Sequence, residues 1–294
     1  MTAARTGLGD LEEAPGPGRR RERAADRHGT GVGLPAWMWF PAALGFLLIA
    51  LPVFGLLWEA DWAEMPSLLT SPAALSALRL SLLTAAVSTT LCLLFGGPLA
   101  VVLARGRINR FPGLMRAIRS IVLLPLVLPP VVGGLALLFL LGARGLVGQG
   151  LNTAFGIFIP FTTIAVILAQ TFVAMPFLIV ALEGALRTAG ERYEATAATL
   201  GASPALAFRR VTVPLVLPGL ASGLVLAFAR CMGEFGATIA FAGSLEGTTR
   251  TLPLLVYLQG ETDIAGAVAL SLLLVVVSLI VIVVGRPRGT DGQR

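Results

Sequence analysis

Six apolar runs of about twenty residues or more, near 37–58, 78–104, 118–141, 161–182, 215–241 and 264–284, dominate this chain, and each is long enough to cross bilayer hydrocarbon as a helix. The runs are continuous and do not alternate. Strands of a membrane barrel turn every second residue toward lipid, so this pattern excludes a barrel and leaves helices, the other structure that satisfies its own backbone in lipid. Only 13% of residues are charged, against about a quarter in soluble domains. The expected fold class is an all-α integral membrane protein with six transmembrane helices.

All 22 basic residues are arginine, and the net charge is +6. Their placement follows a membrane topology and gives no nucleic-acid stripe. Arg19, Arg20, Arg21, Arg23 and Arg27 precede the first run, and Arg105, Arg107, Arg110, Arg116 and Arg119 lie between the second and third. Arg187, Arg192, Arg209 and Arg210 lie between the fourth and fifth, and Arg286 and Arg288 follow the sixth. The alternate loops hold only Arg144 and Arg250, among Glu59, Asp61, Glu64, Glu246, Glu261 and Asp263. By the positive-inside rule both termini and the loop 187–214 are cytoplasmic. Residues 1–36, rich in Gly, Pro, Arg and acids, cannot bury a core and read as a disordered cytoplasmic tail. The run 37–58 is expected to stay as an accessory first helix, because the charged region before it is too long for a signal peptide and no small-residue cleavage site follows. Residues 286–294 form a second cytoplasmic tail. Cys92 and Cys231 both sit in apolar runs, so neither a disulfide framework nor a metal site is indicated.

The loop 187–214 has structure of its own. Tyr193, Ala197 and Leu200 fall at helical intervals, and Gly201 stands where a left-handed cap would end the helix. Ser203-Pro204 then reads as an N-cap and first-turn proline of a second short helix carrying Leu206, Phe208 and Val211. Two capped helices broken by a glycine make an oriented docking surface. The segment resembles the "EAA" loop of bacterial ABC-importer permeases, whose pattern is Glu-Ala-Ala, three residues, Gly, nine residues, Ile, one residue, Leu-Pro. Here it falls on Ala195, Thr196 and Ala197, then Gly201, Val211 and Val213-Pro214, with Glu194 one residue ahead of the position the pattern gives to Glu. ARCMGEFGATIAFAG (229–243), TRTLP (249–253) and LPLVLPPVVGG (124–134) narrow the resemblance to molybdate/tungstate permeases, with sulfate permeases as near relatives. It covers roughly 75–285.

That resemblance implies the ABC importer type I permease fold, a five-helix core at 75–285 behind the accessory helix. It also implies a homodimer around a central path and a cytoplasmic ATP-binding subunit dimer docked on the loop through Glu194, Ala195, Thr196, Ala197, Gly201, Val211 and Pro214. An extracytoplasmic molybdate-binding protein would deliver the anion, membrane lipid would surround the subunit, and no cofactor is implied. The nearest alternative exchanges molybdate for sulfate.

Within the runs, Arg230 and Glu234 stand one helical turn apart in the fifth. Ionisable groups in a bilayer mark functional sites, yet an i, i+4 pair can also neutralise itself to let the helix insert. Gly233, Gly236, Ala237 and Thr238 favour close helix packing there. Pro129 and Pro130, after Pro125, free backbone groups at the start of the third run, either as a hinge beside the path or as an irregular helix start. Thr249, Arg250, Thr251 and Pro253 belong to an external loop that could order the pore mouth or meet a delivery protein. Otherwise they form a helix start capped by Thr251. Ser81, Thr84, Ser88, Thr89 and Thr90 offer neutral donors to an anion, although most are expected to bond back to their own helix. Gly96-Gly97-Pro98 reads as a bend, and Arg79 as a snorkelling arginine.

An enzyme would need a nucleophile, base or metal set. The sequence has no HExxH, GxSxG or GxxxxGK[ST], and its one histidine, His28, lies in the tail. Energy must come from a partner unless transport is passive. A stand-alone secondary transporter or channel would carry discontinuous helices in matching halves, and no such repeat is present.

Overall fold

The computed structural model describes residues 35–106 and 112–285. The tails expected at 1–36, but for their last two residues, and at 286–294 lie outside the described residues, as do Arg107 and Arg110. The chain divides into two compact units, Met1–Val53 and Phe54–Arg294. In the first, a 3-10 turn at Ala36–Met38 leads into helix α1 (Trp39–Glu59). No residue of α1 is buried, and Phe46 and Leu48 are among its exposed side chains. A helix apolar on every side suits contact with lipid.

The second unit continues with α2 (Met65–Leu69), α3 (Pro72–Leu91), α4 (Gly97–Arg105), α5 (Pro112–Leu123), α6 (Pro130–Leu141) and α7 (Gly148–Phe155). Then come α8 (Thr163–Ala189), α9 (Arg192–Thr199), α10 (Pro204–Ala207), α11 (Val213–Met232), α12 (Gly236–Ala242), α13 (Leu252–Gly260) and α14 (Ile264–Val284). The described residues contain no strand. Among the described residues five stretches are long and apolar enough to cross a membrane: Ala36–Glu59, Pro72–Arg105, Thr163–Ala189, Pro204–Met232 and Ile264–Val284. Side-chain caps start several of them, since Ser71, Thr162 and Asp263 accept from the amides of Ala74, Ala165 and Gly266 at 3.3, 3.3 and 3.1 Å.

The third run differs from the sequence expectation. The run 118–141 is not one helix: Gly113–Leu126 and Pro130–Leu141 meet at 113°. Pro129 holds an extended backbone, φ −54° and ψ 132°, because Pro130 behind it disfavours the helical region. Gly96-Gly97-Pro98 is likewise no simple bend but the exit of a π turn at Cys92–Gly96, from which α4 continues. A second π turn, Phe208–Thr212, joins α10 to α11. Each π turn ends two residues before a proline, Pro98 or Pro214, and the wider turn makes room for a ring that lacks an N–H. The helix expected after Ser203 is therefore not separate, and runs on into the fifth span.

Helix α8 is the central element and buries side chains along its length, from Ala165 to Leu186. It packs against α3, α4, α11 and α12. Gly219 and Gly223 of α11 stand against Ala185 and Ala181 of α8. Small residues four apart on both helices let the backbones approach, which is how helices associate where lipid is as apolar as the side chains.

The fifth run also departs from a single helix. α11 stops at Met232, with Gly233 as its cap, and α12 starts at Gly236. Two glycines of low helix propensity permit the break, and tertiary packing fixes it. A Cβ at Gly236 would lie 2.8 Å from Pro130 Cβ, and one at Gly134 would lie 2.8 Å from Ala240 Cβ. α6 and α12 thus touch almost backbone to backbone.

Candidate functional site

The loop at the arginine-rich end is built as its capping residues dictate. α9 ends with Gly201 at φ +83°, and the amides of Gly201 and Ala202 donate to Ala198 O and Ala197 O, both at 3.0 Å, the Schellman pattern. Ser203 Oγ accepts from Leu206 N at 3.4 Å. No residue of α9 is buried, so apolar packing does not hold it. Its anchor is polar. Arg105, the last residue of α4, donates through Nη1 to Glu194 Oε2, and through Nη2 to Gly190 O at 2.9 Å. Thr212 Oγ1 donates to Glu194 Oε1. One carboxylate thereby ties α9 to the end of the second span and the start of the fifth. Ala195, Ala198 and Ala202 line a hollow of about 490 Å3 beneath the helix. Thr196 bonds back to Arg192 O at 3.1 Å, Val211 is half-buried and Pro214 exposed. Sequence reasoning named Glu194 but missed Arg105 and Thr212 as its partners. A basic residue closing a helix, where it complements the dipole, was the available sign for Arg105.

The second assembly lies at the break in the fifth run. Glu234, placed by sequence within a helix, stands just beyond α11 and serves the next one: its Oε1 accepts from Ala237 N at 2.7 Å, at the positive end of α12. Its Oε2 meets Arg230 Nη2 at 2.6 Å, and the carboxylate side chain is only 1% exposed. Thr238 Oγ1 is buried without a hydrogen-bond partner. Pro130 packs on Gly236, so the proline pair, Glu234 and Thr238 come together where α6 and α12 begin. Of the second-span hydroxyls, those of Thr84, Thr89 and Thr90 bond back to the carbonyls of Leu80, Ala85 and Ala86. Two others do not. Ser88 donates across to Ile167 O at 3.0 Å and Gln170 Oε1 at 3.1 Å, and Ser81 accepts from Leu252 N at 2.7 Å.

That last bond corrects the loop 249–253. Thr251 occupies the N-cap of α13 but makes no side-chain cap; Ser81 takes its place, because the second span passes beside the helix start. Thr249 Oγ1 accepts from Leu245 N at 2.8 Å. Arg250 reaches Ser244 Oγ and O, both at 3.3 Å, and Glu246 Oε2 at 3.1 Å. Pro253 follows in the first turn. Arg250 thus braces its own loop.

A third cluster was missed. Glu183, 3% exposed in α8, pairs through Oε1 with Arg119 Nη1 at 2.9 Å and Arg187 Nη2 at 2.8 Å, and accepts a hydrogen bond from Arg187 Nε at 3.0 Å. The Glu183/Arg187 spacing at the end of an apolar run was its sign.

Residues 96–286 match the family model described as "Binding-protein-dependent transport system inner membrane component". The chain is 56% identical over 261 residues to the molybdenum transport system permease protein ModB of Mycobacterium tuberculosis, covering 88% of this chain and 97% of that one. It is 32% identical over 240 residues to the sulfate transport system permease protein CysT of Salmonella typhimurium, covering 80% and 85%. Among solved structures, a chain of a bacterial ABC transporter involved in the import of the acidic polysaccharide alginate aligns over 92% of this chain and 100% of its own. The TM-score is 0.63 at 20% identity, a likeness of fold.

Proposed function

The chain belongs to the binding-protein-dependent transport system inner membrane component family, and from that premise we propose that it is the pore subunit of an ATP-driven ABC importer carrying molybdate, or tungstate, into the cell. The observation that carries the anion is the 56% identity with a molybdenum permease across 97% of that protein. Sulfate is the second reading, supported by the 32% relative. The subunit is a multi-pass protein of the cytoplasmic membrane and works with an ATP-binding subunit and a substrate-binding protein.

In finer detail, two copies surround a central path, lipid surrounds the dimer, and the arginine-rich end faces the cytoplasm together with both termini. A pair of ATP-binding subunits docks on α9 and α10, and an extracytoplasmic molybdate-binding protein meets the opposite end, where Thr249, Arg250, Thr251 and Pro253 shape a loop. Residues 75–285 are the transport core and α1 is accessory.

The bonds of Glu194 give the docking surface a route to the path. Because α9 hangs from Arg105 and Thr212, displacement of the loop by the ATPases passes to the second and fifth spans. The fifth span then runs without a break from Pro204 to Met232. Its far end carries Arg230 and Glu234, at the break where α12 leans on Pro130. Residues 129, 130, 230, 234 and 238 therefore form the candidate gate. Sparse hydroxyls and one arginine suit a tetrahedral dianion that must also leave, whereas a deep cationic cage would retain it. In vesicles holding this subunit, its ATPase and its binding protein, molybdate uptake should require ATP and resist a large excess of sulfate. ATP-independent uptake rejects the importer, and sulfate uptake that molybdate cannot displace transfers the substrate to the second reading.

A further inference from the structure

A groove of about 320 Å3 runs between the bent third crossing and α8, lined by Ile121, Val122, Leu168, Phe172, Met175 and Ile179 among others. Its one hydroxyl, that of Thr171, is spent on Ile167 O at 2.7 Å, so the lining is apolar. Leu168, Phe172, Met175 and Ile179 repeat at helical intervals on one face of α8, and the same face continues to Glu183 and Arg187. From 168 to 179 the groove follows α8 for about 16 Å. Arg119 stands on the other wall, two residues before Ile121. An apolar groove about half the hydrocarbon thickness in length thus runs along α8 toward Glu183, one turn beyond Ile179, where two guanidinium groups share one carboxylate oxygen. Their side chains are 45% and 55% exposed, and among the described residues both pair with Glu183.

We propose that this groove binds an anionic phospholipid, with an acyl chain along α8 and its phosphate between Arg119 and Arg187. Two cations against one buried anion leave the mouth with a net positive charge. Glu183 fixes both guanidinium groups and leaves their outer N–H edges to meet phosphate oxygens, which planar guanidinium suits. Basic clusters between transmembrane helices at the cytoplasmic side are where anionic headgroups gather, and 113° of bend opens the wall that admits the chain. A zwitterionic headgroup fits the groove but gains less at its mouth. The site rests on the membrane placement alone and not on which anion is transported.

The test uses the full chain purified in mild detergent and titrated with phosphatidylglycerol or phosphatidylcholine of identical acyl chains, with retained lipid counted by native mass spectrometry. One phosphatidylglycerol per chain should be held at least about fivefold more tightly than phosphatidylcholine. Replacing only the two arginines would strand Glu183, so the informative variant is the triple change R119Q, E183Q and R187Q, which removes the net positive charge of the cluster without stranding a buried one; it should abolish the preference. Ile121→Trp, which narrows the groove without altering charge, should weaken both lipids alike. Equal retention of the two lipids, or a preference that survives the triple change, overturns the proposal. So does displacement of phosphatidylglycerol by equimolar glycerol phosphate, which has no chain for the groove, or efficient crosslinking of I121C to a second copy, which would put protein where the lipid should lie. Loss of molybdate uptake with lipid selectivity intact would count against the transport reading only.

Discussion

Two glutamate–arginine pairs hold opposite ends of the fifth span, and their surroundings differ. At the arginine-rich end Glu194 is about a third exposed, bonds to Arg105 and Thr212, and anchors a helix with no buried side chain. At the other end Glu234 is closed off from solvent, forms an ion pair with Arg230 and accepts from Ala237 N at the start of α12. Water can replace a lost partner of Glu194 but not one of Glu234. The first pair is therefore suited to carry movement, since its contacts can yield and re-form at little cost. The second fixes where a helix ends, and losing one partner strands a charge.

The largest expected effect is at the buried pair. Arg230→Ala alone, which strands the buried Glu234 carboxylate, should destabilise the fold by about 3–5 kcal/mol, the usual consequence of an uncompensated buried charge, seen as loss of monodisperse protein on size exclusion; Glu234→Ala, which leaves an arginine 25% exposed, should cost less. Exchanging the two residues should recover folding. Uptake then separates the roles: recovery marks a purely structural pair, whereas folding without transport marks Arg230 as an anion contact. Full activity of both alanine variants would remove the contrast between the two ends.

A smaller change in stability is expected at Glu194. Glu194→Ala should cost about 1 kcal/mol or less, as partly exposed pairs do, while reducing uptake several-fold, because the docking helix loses its ties to both spans. Thermal unfolding of the purified chain and uptake in vesicles check the two halves. A large loss of stability would make the two ends alike.

The smallest perturbation asks which end faces which side. Single cysteines at Ser203 and Ser244, in a background lacking Cys92 and Cys231, should barely affect folding and should label from opposite faces of the membrane, Ser203 from the cytoplasm. Labelling of both from outside would invert the reading.

Much of this arrangement was legible in the sequence, and what was not has physical causes. Gly201, Ser203 and the proline run 125–130 are local signals, and the structure places a left-handed cap, an N-cap and a bend at them. The break after Met232 was hidden because it falls inside an apolar run, where Gly233 and Gly236 permit it but do not require it, and the approach of Pro130 and the bond from Ala237 N to Glu234 fix it there. The partners of Glu194 and Glu183, and the bond from Leu252 N to Ser81, link residues far apart in sequence. No spacing rule reports them. Glu194 stands one residue ahead of the position the pattern gives to Glu, and its carboxylate bonds inward, to Arg105 and Thr212.

The most direct test is the ratio of molybdate taken up to ATP hydrolysed in vesicles containing the whole complex with Gly201→Val. A β-branched residue resists the positive φ that Gly201 holds, so the loop should lose its shape while the spans stay in place. The expected result is continued ATP hydrolysis with uptake and the coupling ratio reduced about tenfold or more. Normal uptake at an unchanged ratio would contradict the assignment of this loop as the point where ATP hydrolysis acts on the pore.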